Sequence, residues 1–185
     1  VIGTIMGVFA GYYGKWVDAI LSRVTDVLFS FPDILLALVV MAILGPSLTN
    51  LMIAIGIVYT PTFARVARSA VLELRNSLYI EAAQSMGVKA PTIMLRHILP
   101  NALAPIIVQV TLSLAFAILA EAALSFLGLG VSPDMPSWGV MLSEAKDWME
   151  ISWWTAIFPG IAITLAVFSF NVMGDGLRDA LDPRL

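Results

Sequence analysis

Three polar residues lie within or directly after apolar stretches of this sequence and could contact a solute or an ion there. Asp33 lies inside the apolar run 27–44, Gln109 is the only large polar side chain of the run 103–120, and Glu121 directly follows that run. Polar groups at membrane depth are costly and are therefore functional candidates. We interpret all three as candidate pathway or gate residues. For Asp33 we favour the alternative that it lies near the cytoplasmic interface, about one turn into its helix, and only anchors or pairs.

The common catalytic motifs are absent from the sequence. It contains no G-x-x-x-x-G-K-[ST] phosphate loop, so we expect no ATP binding or hydrolysis by this chain. Gly128-Leu129-Gly130 lacks the third glycine of a dinucleotide site, and no Gly-x-Ser-x-Gly elbow occurs. His97 is the only histidine, which excludes a His-based zinc site, and we interpret it as a polar residue of a cytoplasmic helix rather than a proton relay. We expect a chain that is not an enzyme and has no cofactor of its own.

A polar-containing interval between apolar segments covers residues 81–101, EAAQSMGVKAPTIMLRHILPN. This pattern is typical of a short helix, a break and a second short helix. Glu81-Ala82-Ala83-Gln84 are good helix formers, and Gly87 suits a helix end that needs a left-handed residue. Pro91 fits the first turn of a new helix, and we expect Pro100 to stop that helix. A compact helical knob between apolar segments has a shape that a cytoplasmic partner could grip.

Composition indicates an integral membrane protein. Of the 185 residues, 59% are hydrophobic and 12% are charged, and the mean hydropathy is +0.92. Soluble domains carry about 25% charged residues, so a soluble protein with an apolar core is the less favoured alternative. The absence of cysteine excludes disulfides and thiolate metal sites. A net charge of −3 gives no basic footprint for nucleic acid.

Five apolar segments predict an all-α, polytopic membrane bundle of about five spans. They cover residues 1–13, 27–44, 48–64, 103–120 and 155–173. The chain begins inside an apolar run without a basic start, which is not typical of a signal peptide.

The remaining segments connect these spans. We expect an interfacial connector over 14–26, a long polar loop containing Pro133 over 125–154, and a charged tail over 174–185. Residues 65–79 predict an amphipathic helix that leaves the bilayer along its surface. The apolar positions of that helix share one face: Ala67, Val71, Leu74 and Leu78.

Gly3, Gly7 and Gly11 recur every four residues and therefore share one helix face. Small residues at this spacing let membrane helices pack closely. We favour close packing over the alternatives that the glycines arise by chance or ease a kink.

The basic residues indicate which side of the membrane each connection faces. When each of the five apolar segments is taken as one crossing of the membrane, nine of the ten basic residues fall on one side of the membrane and Lys146 alone falls on the other. Because cytoplasmic connections carry the excess of Lys and Arg, residues 81–101 and the C-terminus are predicted to be cytoplasmic. The nine residues are Lys15, Arg23, Arg65, Arg68, Arg75, Lys89, Arg96, Arg178 and Arg184.

Three stretches carry a family resemblance that covers essentially the whole chain. Glu81-Ala82-Ala83, Gly87 and Ile98-Leu99-Pro100-Asn101 resemble the EAA loop of binding-protein-dependent ABC importer permeases. AEAALSFLGLG, residues 120–130, and GDGLRDALDPR, residues 174–184, resemble the branch that imports dipeptides, oligopeptides and nickel. Within this branch the chain is similar to the second of the two permease subunits.

The resemblance implies a fold and a set of coupling residues. The fold would be that of a type I ABC importer permease, with the family's first span apparently missing. Residues 1–185 would form a single transmembrane permease domain, with a cytoplasmic coupling loop over 65–101 and an external loop over 125–154. The coupling residues that contact the ATPase would be Glu81, Ala82, Ala83, Gly87, Pro91, Arg96 and Pro100.

The resemblance also implies partners and a location. The partners would be a second homologous permease subunit, two cytoplasmic ATPase subunits that hold ATP and Mg²⁺, an external solute-binding protein and the lipid bilayer, but no nucleic acid. The location would be a bacterial or archaeal plasma (inner) membrane. The solute stays open among peptides, nickel chelates, glutathione-like and opine-like compounds. The alternative function is a membrane scaffold or channel subunit without an ATPase partner.

Overall fold

The computed structural model describes residues 1–132 and 134–181, and every regular element within these ranges is helical. The helices are α1 (Ile2–Tyr13), α2 (Lys15–Phe29), α3 (Asp33–Leu44), α4 (Leu48–Arg75), α5 (Leu78–Ser85), α6 (Ala90–Ile93), α7 (Leu99–Phe126), α8 (Trp138–Ala145) and α9 (Trp154–Leu181). A π-helical turn over Met94–Ile98 joins α6 to α7, and a 3-10 turn over Lys146–Trp148 follows α8.

Three helical runs in the described ranges are long and apolar enough to cross a membrane: α4, the run from α6 through α7, and α9. The pair α2 and α3 would count as a fourth span if its break were tolerated inside the bilayer. The apolar helix α1 has 12 residues. These helices are roughly consistent with the predicted bundle of about five spans.

The described chain forms two compact units. The first contains residues 1–30, 59–110 and the described residues from 175 onward, and the second contains residues 31–58 and 111–174. Each of α4, α7 and α9 contributes residues to both units.

The π-helical turn keeps one buried stripe continuous along the first unit. Ile93, Ile98, Ala102 and Ile106 are all buried in the same core. Ile93 and Ile98 are five residues apart, and in an α-helix this spacing would turn one of them about 140° away from the other. A π turn has wider i→i+5 hydrogen bonding, so both side chains stay on the inner side.

The prediction that Pro100 stops the second short helix is wrong. Pro100 is the second residue of α7, and the helix continues to Phe126. The turn before it is already widened, with the Leu99 amide bonded to the Met94 carbonyl. In addition, Asn101 Nδ2 donates to the His97 carbonyl oxygen at 2.6 Å, which satisfies an acceptor of the turn. The proline therefore lies where the regular α-helical ladder is already interrupted.

The close packing predicted for the three glycines is confirmed, because they bring α1 against α4. A Cβ atom added at Gly3 would lie 2.1 Å from the Thr60 carbonyl oxygen. One added at Gly7 would lie 2.2 Å from the Ala64 carbonyl oxygen, and one added at Gly11 would lie 2.8 Å from Val71 Cβ. No side chain larger than hydrogen fits at these contacts.

The separate amphipathic helix predicted over 65–79 is wrong in its boundaries. Residues up to Arg75 belong to α4, which continues through a fully buried Pro61. Two residues of its predicted apolar face, Ala67 and Val71, are fully buried. Leu78, in contrast, begins α5 and is 83% exposed.

The connector predicted over 14–26 is the helix α2, which is held against α4 by an ion pair. Arg68 donates through Nη2 to Asp18 Oδ2 at 2.7 Å and through Nε to Asp18 Oδ1. This bidentate geometry fixes both side chains. The Arg65 guanidinium also lies 4.0 Å from the centre of the Phe29 ring.

The loop predicted over 125–154 contains the helix α8, packed on α7 in the second unit. Gly139 lies so close to α7 that an added Cβ would be 2.7 Å from the Ala122 carbonyl oxygen. Ser143 Oγ donates to the Phe126 carbonyl oxygen at 3.1 Å. Pro133 lies outside the described residues.

The tail predicted over 174–185 continues α9 as far as Leu181. Gly174, at its start, is buried against Thr111 of α7. Asp182, Pro183 and Arg184, which were part of the family resemblance, lie outside the described residues together with Leu185.

Candidate coupling site

The helix α5 begins at a tight turn directly after α4. The Ser77 carbonyl oxygen accepts hydrogen bonds from the amides of Ile80 and Glu81 at 3.0 and 3.1 Å. Glu81 therefore lies in the first turn of α5, where the positive end of the helix dipole stabilises a carboxylate. The Glu81 side chain is exposed, and it makes no ion pair among the described residues.

The end of α5 has the geometry predicted for Gly87, which adopts φ 76°. The Val88 amide donates to the Ala83 carbonyl oxygen at 3.1 Å, and the Gly87 amide donates to the Gln84 carbonyl oxygen at 2.9 Å. These two bonds form a Schellman motif, which needs a left-handed residue at this position. The chain then turns into α6, with Pro91 as the second residue of its first turn.

We call residues 78–96 the coupling knob. Its inner side is buried in the core of the first unit, which also contains Val8 of α1 and Val71 of α4. The buried residues of the knob are Ile80, Ala83, Ile93 and Met94. The knob is therefore held by the same close-packed core as α1 and α4, and cores of this kind transmit displacement.

Most residues predicted for ATPase contact lie on the outside of the chain. The exposed ones are Glu81, Ala82, Gly87, Pro91, Arg96 and Pro100. Ala83 differs, because the residue is only 5% exposed and packs inside the chain's own core. Ala83 therefore holds the knob in the core, and Ala82 is the alanine of this pair that lies on the outer surface.

Three large apolar side chains lie on this surface. Sequence reasoning missed Met86 and Leu95 there, and it placed Leu78 on the apolar face of the helix predicted over 65–79. Leu78 is 83% exposed, Met86 is 77% exposed and Leu95 is 66% exposed. Exposed apolar groups rimmed by polar residues mark interaction sites. Their signal was present in the sequence, since each is a large apolar residue in or beside the polar interval 81–101.

The three candidate pathway residues lie in different surroundings. Asp33 is the exposed first residue of α3, not a residue one turn into a continuous helix over 27–44. Glu121 is half-buried in the second unit, where its Oε1 accepts from Ser125 Oγ at 2.7 Å. Gln109 lines a groove of the first unit. Asp33 and Glu121 belong to the second unit, and Gln109 belongs to the first.

No group of three or more His, Cys, Asp or Glu side chains that could hold a metal ion occurs in residues 1–132 and 134–181.

Comparisons with known proteins identify the family of this chain. A family model described as "Binding-protein-dependent transport system inner membrane component" matches residues 3–185. Over its full length, the chain is 53% identical to the dipeptide transport system permease protein DppC of Alkalihalophilus pseudofirmus and covers 61% of that protein. It is 50% identical over 184 residues to the glutathione transport system permease protein GsiD of Pectobacterium atrosepticum, again covering 61%.

A putative peptide transport system permease protein of Brucella suis is 47% identical, and the chain covers 62% of it. The chain thus spans less than two thirds of the length of these curated relatives. Among solved structures, a chain of the MetNI methionine ABC transporter in an inward-facing conformation matches with a TM-score of 0.74 at 19% identity. The match covers 98% of this chain and 88% of that one. This chain belongs to the family of inner membrane components of binding-protein-dependent transport systems, and it has the fold of a type I ABC importer permease.

Proposed function

We propose that this chain is a permease subunit of an ABC importer that moves peptides, or a related small solute, into the cell. The family supports the importer class, and relatives named for dipeptide, glutathione and peptide transport support the solute class. ATP hydrolysis would occur on two partner ATPase subunits, which hold ATP and Mg²⁺. This chain would supply the translocation path together with a second permease subunit.

The observation that carries the proposal is the construction of the coupling knob. Its outer surface presents a carboxylate, Glu81, beside exposed apolar side chains, while its inner surface shares a core with α1 and α4. An ATPase that closes on ATP and grips this surface would move knob and helices as one rigid body. A loosely attached knob would move without moving α1 and α4, whereas a knob buried in their core would move these helices with it.

The proposal includes an orientation and two further partners. The asymmetry of the basic residues supports a cytoplasmic knob and a cytoplasmic C-terminus in a bacterial or archaeal inner membrane. A solute-binding protein would deliver the solute from outside, where residues 125–154 would form the external loop.

Recovery of the ATPase subunits with purified chain tests the proposal. Glu81→Lys reverses the charge presented to the partner, and Glu81→Gln is the matched control that removes the charge without reversing it. We expect Glu81→Lys to lower ATPase recovery at least about tenfold, since like-charge contact opposes association. It should also abolish ATP-dependent dipeptide uptake, while Glu81→Gln retains most of both and the two variants reach the same membrane level.

Two outcomes would contradict the proposal. Normal ATPase recovery and uptake with Glu81→Lys would remove the coupling role of the knob. If the unsubstituted chain co-isolated with no ATPase and supported no uptake, the chain would instead be a scaffold or channel subunit.

A further inference from the structure

The helices α4 and α7 and the end of α9 border an open groove of about 600 Å³ inside the first unit. Seven of its eleven lining residues are apolar, and the other four are Glu73, Asn101, Gln109 and Arg178. A mostly apolar wall with a few polar groups, in a volume between about 300 and 1,000 Å³, is typical of a small-ligand site.

The two charged residues of the groove have opposite signs and come from different helices. Glu73 lies on α4, and Arg178 lies on α9. Neither forms an ion pair within the part of the chain that the structure describes, where Asp18 and Arg68 make the observed pair. The groove therefore offers both a carboxylate and a guanidinium to one ligand.

The length of the groove wall suits a short peptide. Its α7 side extends from Asn101 to Gln109, which is about 12 Å at the rise of an α-helix. An extended peptide of two or three residues spans about 7–11 Å. The Asn101 side chain is held in place by its bond to the His97 carbonyl oxygen, so one amide on this wall is already oriented.

We propose that this groove is a contact site for zwitterionic short peptides on their way through the importer. Arg178 binds the peptide's terminal carboxylate, for which a guanidinium has matching bidentate geometry. Glu73 binds the terminal ammonium group, and the amides of Asn101 and Gln109 face the peptide bond. This inference rests on the proposed function and deepens it, because it selects solutes with both terminal charges over neutral solutes and metal chelates.

Photo-crosslinking to the importer assembled with this chain tests the site directly. The probe is a dipeptide with a diazirine side chain, compared with its C-terminal amide and its N-acetyl form. The solute-binding protein is left out, so that its own selectivity does not enter. We expect the free dipeptide to label residues 66–74 or 101–109, and each blocked form to label them at least about tenfold less, the loss expected for one charge-assisted contact.

Substitutions assign each terminal group to its partner. Arg178→Gln should lower labelling by the free dipeptide about tenfold, to the level seen with the C-terminal amide. Glu73→Gln should lower it about tenfold, to the level seen with the N-acetyl form. Arg23→Gln on α2 and Asp179→Asn on α9 are the matched controls, since both residues are exposed and neither lines the groove. Both controls should label as the unsubstituted chain does.

The inference is overturned if labelling maps outside the groove, or if Arg178→Gln still discriminates between the dipeptide and its amide. ATP-dependent dipeptide uptake by the unsubstituted importer distinguishes failure of this inference from failure of the proposed function. Uptake without labelling of the groove removes only this inference. Absence of uptake together with absence of ATPase recovery removes the proposed function itself.

Discussion

At the scale of single residues, Gly87 determines where the coupling knob points. Its φ of 76° ends α5 and directs the chain into α6. A Cβ atom at Gly87 would have no other atom within 4 Å. The requirement for glycine is therefore a requirement of the backbone and not of space, and a residue that tolerates the left-handed conformation should replace it.

Gly87→Val and Gly87→Asn separate these two possibilities. Valine is strained in the left-handed region by about 1–2 kcal/mol, whereas asparagine visits it more readily. We expect Gly87→Val to misplace α6 and to lower ATPase recovery, and Gly87→Asn to retain it. Both variants should be measured at equal membrane levels by co-isolation of the ATPase. Equal recovery with the two would show that the turn does not set the docking geometry.

At the scale of elements, the contact between α1 and α4 is the most tightly specified in the first unit. The glycine face of α1 meets the Thr60 and Ala64 carbonyl oxygens and the Val71 side chain of α4, and Val71 shares a buried core with the knob residues Ile80 and Ile93. A larger side chain at one of these glycines should therefore lower the stability of the protein and displace the knob.

Gly7→Leu tests this contact. Overpacking a close contact costs about 1–3 kcal/mol or more, and here the added atoms meet backbone that is held by its own helix. We expect a clearly lower melting temperature of the purified protein in detergent. Gly160→Ala is the control, because a Cβ at Gly160 meets no atom within 4 Å. Melting temperatures that agree between the two variants would contradict the close packing.

The sequence predicted correctly those features that depend on a few neighbouring residues. Glycines at spacing four predicted the α1 contact, and the left-handed end of α5 followed from Gly87. The errors arose at helix boundaries. Pro100 was expected to stop a helix but lies inside α7, and residues 48–64 were separated from 65–79 although α4 continues from Leu48 to Arg75. Pro100 is tolerated because the π-helical turn directly before it already interrupts the α-helical ladder. Pro61 is tolerated inside a buried core that is formed by residues distant in sequence.

The groove could not be predicted from the sequence for a related reason. Its charged residues, Glu73 and Arg178, are separated by more than half of the chain, and only the packing of three helices places them at one cavity. Gln109 was identified as a candidate pathway residue because it is isolated in an apolar run. Glu73 lies in a charged amphipathic stretch and gave no comparable signal.

At the scale of the whole molecule, the distribution of basic residues predicts one orientation in the membrane. Nine of ten basic residues fall with the knob, and Lys146 falls with the acidic residues of 125–154. The sequence has no cysteine, so single-cysteine variants report on one position each.

Labelling with an impermeant thiol reagent on intact cells tests this orientation. A cysteine at Asp134 should react from outside, because residues 125–154 are predicted to be external. A cysteine at Lys89 should react only after the membrane is opened, because the knob is predicted to be cytoplasmic. The reverse pattern would overturn the orientation and, with it, access of the knob to a cytoplasmic ATPase.

The π-helical turn over Met94–Ile98 has a further consequence for how the knob and the groove relate. Measured against an α-helical register, such a turn holds about one extra residue, which is equivalent to a phase shift of about 100° around the helix axis. The π-helical turn thus sets the rotation of the knob about the helix axis relative to the groove wall at Asn101. Deleting one residue from the turn would leave both ends helical and their local sequences intact. It would nevertheless rotate the exposed surface of the knob relative to the groove wall at Asn101. If the two surfaces act as proposed, we expect ATP-dependent uptake to fall although neither surface has changed in sequence.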